Sequence, residues 1–112
     1  MTGENGATSE DGADTPVVCT KRETPEGTLV AVCDADILGE TFEDGAVSLT
    51  VTEDFYGTEP VEPAAARDAL VRADVANIVG HEAVELAIEV GIVDEANVLD
   101  VGATVHAQSV RM

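Results

Sequence analysis

Cysteine and histidine are the residues of this chain whose chemistry could serve a small enzyme. The sequence holds Cys19, Cys33, His81 and His106, and Cys33 with His106 is the pair that could act as thiolate and imidazole. A nucleophilic cysteine needs a nearby base or a helix N-terminus that lowers its pKa. Cys33 ends a β-prone segment just before a predicted helical turn, so its thiol could lie at such an N-terminus. The simpler interpretation is a buried structural cysteine, with His106 as an ordinary strand residue.

The sequence contains none of the strong catalytic or cofactor motifs. Its glycines in the folded part are isolated, so they form no phosphate-binding loop. It has no paired-cysteine zinc motif and no two histidines at the spacing of a helical metal site. The sequence therefore predicts neither a metal nor a cofactor, and it does not decide whether the protein is an enzyme.

Charge is the most unusual property of the composition. The 112 residues include 23 acidic and 5 basic ones, for a formal net charge of −18. The acids are spread along the whole chain, while large apolar residues are scarce. This pattern favours a halophilic protein, because molar salt screens charge repulsion to within about 3 Å. The alternative is an acidic surface for basic partners or metals. In molar salt the net charge would not exclude RNA as a partner.

The domain organisation follows from where apolar residues occur. Residues 1–15 lack any apolar periodicity and are predicted to be a disordered acidic tail, and residues 16–112 a single α+β domain. No segment resembles a signal peptide or a membrane span, and two cysteines do not make a disulfide framework. We therefore expect a cytoplasmic protein with no membrane association.

Residues 81–91 predict the main helix, around which the other elements are expected to be arranged. Its solvated side is formed by Glu82, Glu85 and Glu89, and its apolar side by Val84, Ala87, Ile88 and Gly91. Gly91 is placed to end the helix in the left-handed conformation, with Ile92 folding back on the last turn. A second helix is predicted to start near Pro63, with a stripe of small residues that includes Ala66 and Leu70.

The predicted strands are short and mostly β-branched. Residues 16–21 and 28–34 form a predicted hairpin centred on Glu26, which would place Cys19 directly opposite Cys33. Residues 46–54 alternate as a strand with Val47, Leu49 and Val51 facing inward. The outer side of this strand is polar, so we expect the sheet to be covered on one side only. Residues 98–101 and 104–111 are further strands, and residues 75–79 fit either a strand or a helical turn. The prediction is an α+β fold: an antiparallel or mixed sheet of about four to five strands, with two main helices mostly on one face.

A set of short segments, taken in order, resembles the archaeal family filed as domain of unknown function 424. The segments are Val-Ala-Val-Cys-Asp at 30–34, Leu-Gly at 38–39, Phe-Tyr-Gly at 55–57, Ala-Asn-Ile-Val-Gly at 76–80, Ala-Val-Glu-Leu-Ala-Ile at 83–88, Asn-Val at 97–98 and His-Ala-Gln at 106–108. The resemblance covers residues 27–111, and Val105 departs from it where proline would be expected before His-Ala-Gln. It implies a cytoplasmic, archaeal protein of a family with no assigned reaction, and a halophilic member of that family agrees with the charge.

The resemblance also implies that seven residues gather in space as a binding site. They are Cys33, Asp34, Phe55, Tyr56, Asn77, His106 and Gln108. The favoured function is a non-catalytic binding module associated with RNA or the translation machinery, in which the aromatic residues stack and the polar ones make edge contacts. The alternatives are a protein-interaction subunit or homodimer that uses a sheet edge or the small-residue helix, and a small enzyme with Cys33 as nucleophile and His106 as base.

Overall fold

A mixed six-stranded sheet forms the centre of the protein in a computed structural model that describes residues 16–111. The strands are β1 (Val17–Thr24), β2 (Gly27–Asp34), β3 (Thr41–Asp44), β4 (Val47–Thr50), β5 (Pro60–Val61), β6 (Val75–Val79), β7 (Leu99–Val101) and β8 (Thr104–Val110). The helices are α1 (Glu53–Tyr56), α2 (Pro63–Arg72) and α3 (His81–Glu89), with 3-10 turns at Ala35–Ile37 and Glu95–Asn97. The tail predicted over residues 1–15 lies outside the described residues.

The central sheet has the strand order β5-β1-β2-β6-β8-β7, and β3 and β4 form a separate two-stranded sheet. β2 and β6 run parallel, and the other neighbours in the central sheet are antiparallel. The predicted α+β class with a mixed sheet is confirmed. The sheet has six strands instead of four or five, because residues 75–79 form a central strand and residues 60–61 add a short one at the edge.

The two longer helices cover one face of the sheet, which we call the helical face. Ala66 and Leu70 of α2 and Ala83, Val84 and Ala87 of α3 are buried there. The sheet contributes Val17, Val30, Val32, Ala76, Ile78, Val105 and Ala107 to the same core. The small-residue stripe of α2 and the apolar side of α3, which the sequence pattern predicted for these segments, both pack on this face of the sheet.

The opposite face, which we call the second face, is covered over part of its area. The β3–β4 hairpin and α1 bury a smaller core there, which includes Val51 and Tyr56 above Val18, Ala31 and Cys33. The expectation of a sheet covered on one side only is therefore wrong. The strand predicted over residues 46–54 ends at Thr50, since Thr52 accepts a hydrogen bond from the Phe55 N–H and begins α1. Val47, predicted to face inward, is 56% exposed.

The β1–β2 hairpin differs from its prediction by a shift in register. Its turn consists of two residues, Pro25 and Glu26, so Cys19 pairs with Val32 and Cys33 pairs with Val18. Because successive strand residues point to opposite faces, the two cysteines lie on opposite sides of the sheet. The predicted Cys19–Cys33 juxtaposition is wrong, and both thiols are free.

Helix α3 begins at a backbone position that only glycine fits. Gly80 has φ 110° and ψ 152°, a region that other residues almost never adopt. The carboxylate of Asp34, at the end of β2, accepts hydrogen bonds from the Ala83 N–H at 2.8 Å and the Glu82 N–H at 3.2 Å. Asp34 also precedes the 3-10 turn after β2, but its side chain makes no capping hydrogen bond there and caps α3 instead.

Helix α3 ends as the sequence predicted. Gly91 has φ 82°, its N–H donates to the Ile88 carbonyl, and the Ile92 N–H donates to the Ala87 carbonyl. These two hydrogen bonds form a Schellman motif, which satisfies carbonyls that the helix end would leave unpaired.

Gly80→Ala and Gly91→Ala form a matched pair that isolates the contact with Asp34. Both glycines have positive φ, but a Cβ at Gly80 would collide with the Asp34 carboxylate, whereas a Cβ at Gly91 meets nothing within 4 Å. We expect Gly91→Ala to lower the free energy of unfolding by about 1 kcal/mol, and Gly80→Ala by at least about 3 kcal/mol, since it also displaces the cap. Urea denaturation in molar salt measures both, and equal losses would contradict this account.

Candidate functional site

The polar residues singled out by the sequence lie largely on the second face, on the part that the hairpin and α1 leave open. Asn77 of β6 is directly opposite Gln108 of β8, and Val75 is opposite Val110. His106 is opposite Val79 in the same pair of strands. Since alternate residues share a face, we define the second-face patch as Val75, Asn77, His106, Gln108 and Val110.

Tyr56 joins α1 to this patch by a hydrogen bond. Its hydroxyl donates to the Asn77 Oδ1 at 2.6 Å, while the Thr20 hydroxyl donates to the Tyr56 backbone carbonyl at 2.6 Å. The Tyr56 side chain is only 3% exposed, and burial raises the pKa of its hydroxyl well above the usual range. Tyr56 is thus a core residue whose hydroxyl group orients Asn77.

Phe55 is held against its neighbours on the rim of the covered region. Its ring meets the Tyr56 ring edge-to-face, with centroids 4.8 Å apart and planes at 85°. The Arg22 guanidinium lies 5.1 Å from the Phe55 centroid and donates to the Asp54 carbonyl. One ring is therefore buried and the other is engaged by a cation, so neither presents an open face for stacking.

Cys33 and His106 lie on the same face but do not form a catalytic pair. Cys33 is opposite Val79, and Val79 is opposite His106, so one strand separates the two residues. Two strand spacings put their backbones about 10 Å apart. The Cys33 side chain is 0% exposed, and burial, with a smaller contribution from Asp34, raises its pKa to about 12. The hypothesis of a small enzyme with Cys33 as nucleophile and His106 as base is therefore wrong.

Asp34 is also separate from the patch. Its carboxylate points to the helical side, where it accepts the two N–H groups of α3, and it is buried. Burial raises the pKa of Asp34, and the two N–H donors oppose this effect. Of the seven predicted site residues, the structure brings Tyr56, Asn77, His106 and Gln108 together, places Phe55 and Cys33 beside them, and leaves Asp34 out.

Two clefts lie on the helical side, away from the patch. The larger, of about 370 Å³, is bordered by α3, the second 3-10 turn and β7, with Val84, Ile88 and Val105 at its lining. The smaller, of about 280 Å³, lies between α2 and α3 near Arg67 and Glu89, which form an ion pair at 2.8 Å. Neither cleft is lined by any of the seven predicted residues. Within residues 16–111 no group of three or more histidine, cysteine or acidic side chains could hold a metal ion.

The second face receives no carboxylate from the strands of the central sheet, which the local sequence patterns did not predict. Alternation along the four long strands assigns to it these side chains: Val18, Thr20, Arg22, Thr24, Leu29, Ala31, Cys33, Val75, Asn77, Val79, Thr104, His106, Gln108 and Val110. None is acidic, in a chain with 23 acids. A signal was available in the sequence, since residues 101–112 form its longest stretch without Asp or Glu.

Alkylation should separate Cys33 from Cys19. With Cys19→Ser, the remaining Cys33 is fully buried, so we expect iodoacetamide to label it only as fast as the protein unfolds. With Cys33→Ser, the half-buried Cys19 should label faster in the folded protein. Mass spectrometry over time, with and without urea, measures both rates. Rapid labelling of Cys33 in the folded protein would restore it as a reactive thiol.

His106 should make stability depend on pH. Burial lowers the pKa of His106, so below the ordinary value of about 6.5 the unfolded chain binds a proton that the folded protein does not yet bind. The stabilising contribution is therefore present above that value and lost as the pH falls through it. Urea denaturation between about pH 7.5 and about pH 5.5 should show a smaller loss of stability for His106→Gln than for wild type. A His106→Gln protein that loses as much stability as wild type over this range would contradict the assignment of the pH dependence to His106.

Comparison with known proteins agrees with the resemblance drawn from the sequence. The solved structure of an uncharacterized conserved protein from Methanopyrus kandleri matches with a TM-score of 0.71 and 25% identity, over 87% of this chain and 95% of that one. No curated protein matches the chain. No helix within residues 16–111 is long and apolar enough to cross a membrane.

The family itself is defined by a sequence model. That model, described as Protein of unknown function (DUF424), matches residues 21–112 and so includes both longer helices and all of the central sheet except residues 17–20 of β1. The chain belongs to this family, Protein of unknown function (DUF424).

Proposed function

We propose that the protein is a non-catalytic, protein-binding module of a salt-rich cytoplasm, and that the second-face patch is its contact surface. The observation that carries the proposal is that none of the sheet side chains on the second face is a carboxylate, in a chain of net charge −18. An acidic protein repels other acidic proteins wherever carboxylates meet, and a carboxylate buried without a partner in an interface is costly. A neutral surface removes both obstacles.

The chemistry of the patch fits a protein partner. Gln108 and Val110 are exposed, Val110 to 61%, and Asn77 is half-buried beside them. The amides can donate and accept hydrogen bonds, and the two valines, which are paired with each other, add apolar contact area next to them. The expected partner is another acidic protein that also presents a neutral, hydrogen-bonding surface.

RNA binding was the form of this function that the sequence favoured. Binding of single-stranded RNA relies on aromatic side chains with open faces and on a basic groove along the backbone. Here Tyr56 is buried, Phe55 is engaged by Arg22, and Arg22 is the one basic side chain among the second-face residues named above. These contacts support a protein partner over RNA.

Site-specific photocrosslinking in a native high-salt lysate tests the proposal. A photoreactive residue in place of Gln108 should yield a defined product with a second protein. The same residue in place of Ser48, which is exposed on β4 outside the patch, should not. Identical products at the two positions would contradict the proposal. Recovery of RNA in place of protein would also contradict it and would support RNA binding.

A charge substitution provides the matched control. Asn77→Asp introduces a carboxylate into the patch and should reduce the crosslinked product from position 108 at least tenfold. Ser48→Glu adds the same charge on the hairpin and should leave the yield unchanged. Circular dichroism of both variants verifies that they fold. Equal yields from the folded variants would show that the neutral character of the patch is not what the partner recognises.

A further inference from the structure

Beyond His106, the outer edge of β8 has no strand beside it within residues 16–111. β7 pairs with β8 only from Thr104 to His106, so among the described residues the segment from Ala107 to Val110 has a strand neighbour, β6, on one side alone. A free edge presents a row of main-chain N–H and C=O groups that can pair with another strand.

The hydrogen bonds of β8 show which residues present these groups. In an antiparallel ladder, successive residues direct their main-chain groups alternately to the two sides. The Arg111 N–H donates to the Asp74 carbonyl and the Gly80 N–H donates to the Val105 carbonyl, so the odd-numbered residues of β8 face β6. Gln108 and Val110 therefore direct their N–H and C=O groups to the free edge.

The opposite edge of the sheet carries protection against a further strand. In the described part of the chain, β1 has no strand neighbour on its outer side beyond Val18, but this outer edge carries the charged residues Lys21–Glu23, and the short β5 beside its start begins with Pro60. Charges and proline are the usual protection of sheet edges. The segment Ala107–Val110 has no proline and no charge.

The distribution of charge favours a second copy of this chain as the partner of this edge. Residues 101–112 contain no acid and one arginine, whereas every other part of the chain has an acid at shorter intervals. Two copies of so acidic a chain can meet without facing carboxylates at this strand. The edge is also self-complementary, because a twofold axis at Ser109 pairs Gln108 of one copy with Val110 of the other, and the reverse.

We propose that two copies of this chain associate by antiparallel pairing of β8 with β8 about a twofold axis at Ser109. Each Gln108–Val110 pair exchanges two main-chain hydrogen bonds, so both free residues of each copy are satisfied. The two central sheets join into one, and the second-face patches of both copies form a continuous neutral surface. The proposal goes beyond the binding of a separate protein and does not depend on it.

A disulfide trap reports this geometry directly. In the proposed register the two Ser109 residues are a non-hydrogen-bonded pair with Cα atoms about 4.5 Å apart, which is within disulfide range. Ser109→Cys should therefore give a covalent dimer under mild oxidation of the full chain in molar salt. Arg111→Cys is the matched control, because its two copies would lie about 13 Å apart. Wild type, with its own Cys19 and Cys33, should remain uncrosslinked.

Light scattering of the purified chain in molar salt completes the test. Wild type should have twice the mass of one chain, and Val110→Pro, which removes an N–H directed at the partner, should have the mass of one chain. Lys21→Pro makes the same change on the outer edge of β1 and should leave the dimer intact, with circular dichroism as the check of folding. A monomeric wild type, or a dimer that crosslinks equally through positions 109 and 111, would overturn the proposal.

The two proposals can fail separately. Light scattering and the disulfide trap use purified protein and report only the pairing of β8 with β8. Photocrosslinking from Gln108 in the lysate reports a separate partner, which differs in mass from a second copy. A dimer without any other crosslinked protein would refute the proposed function and support the β8 pairing. A monomer that crosslinks to another protein would do the reverse.

Discussion

The hydrogen bonds from the Glu82 and Ala83 N–H groups to the Asp34 carboxylate are the interaction on which the arrangement of this protein depends. They connect the end of β2 to the first turn of α3, across nearly fifty residues of chain. The helix N-terminus favours a negative charge there. Gly80 makes the contact possible, since a side chain at this position would occupy the space of the carboxylate. The cap orients α3 over β2, β6 and β8, and so determines which sheet face the helices cover.

The other face is left for a second, smaller layer. Helix α1 lies against β1 and β2, and the hairpin extends to β7. Tyr56 is buried in this layer, and its hydroxyl donates a hydrogen bond to Asn77. This packing engages the residues that could have supported catalysis or stacking. Cys33 is buried under the layer, and Phe55 packs against Tyr56 and Arg22. The second-face patch, a neutral area on β6 and β8, stays uncovered. Such a surface suits contact with another macromolecule more than it suits chemistry.

The uncovered patch differs from the rest of the surface in its charge. Most of the surface is acidic, and a protein of net charge −18 stays hydrated and separate from other acidic proteins wherever carboxylates are exposed. The strand side chains of the second face include no carboxylate, and β6 and β8 present hydrogen-bonding amides and valines there. The proposed contact surface and the free sheet edge are therefore adjacent, and both lie on strands that carry no acidic side chain on this face.

The sequence by itself determined the elements that depend on local chemistry. Apolar periodicity and Gly91 defined α3 and its end, Pro63 opened α2, and the β-branched segments gave most strands, because each signal acts within a few residues of itself. Only the tertiary structure decided that residues 75–79 form the central parallel strand, that Asp34 caps a helix far along the chain, and that Cys19 and Cys33 face opposite ways. A one-residue change in register reverses the face of every side chain, and no local pattern specifies it. The neutral face depends on the same fact, since it exists only once four separate strands are aligned.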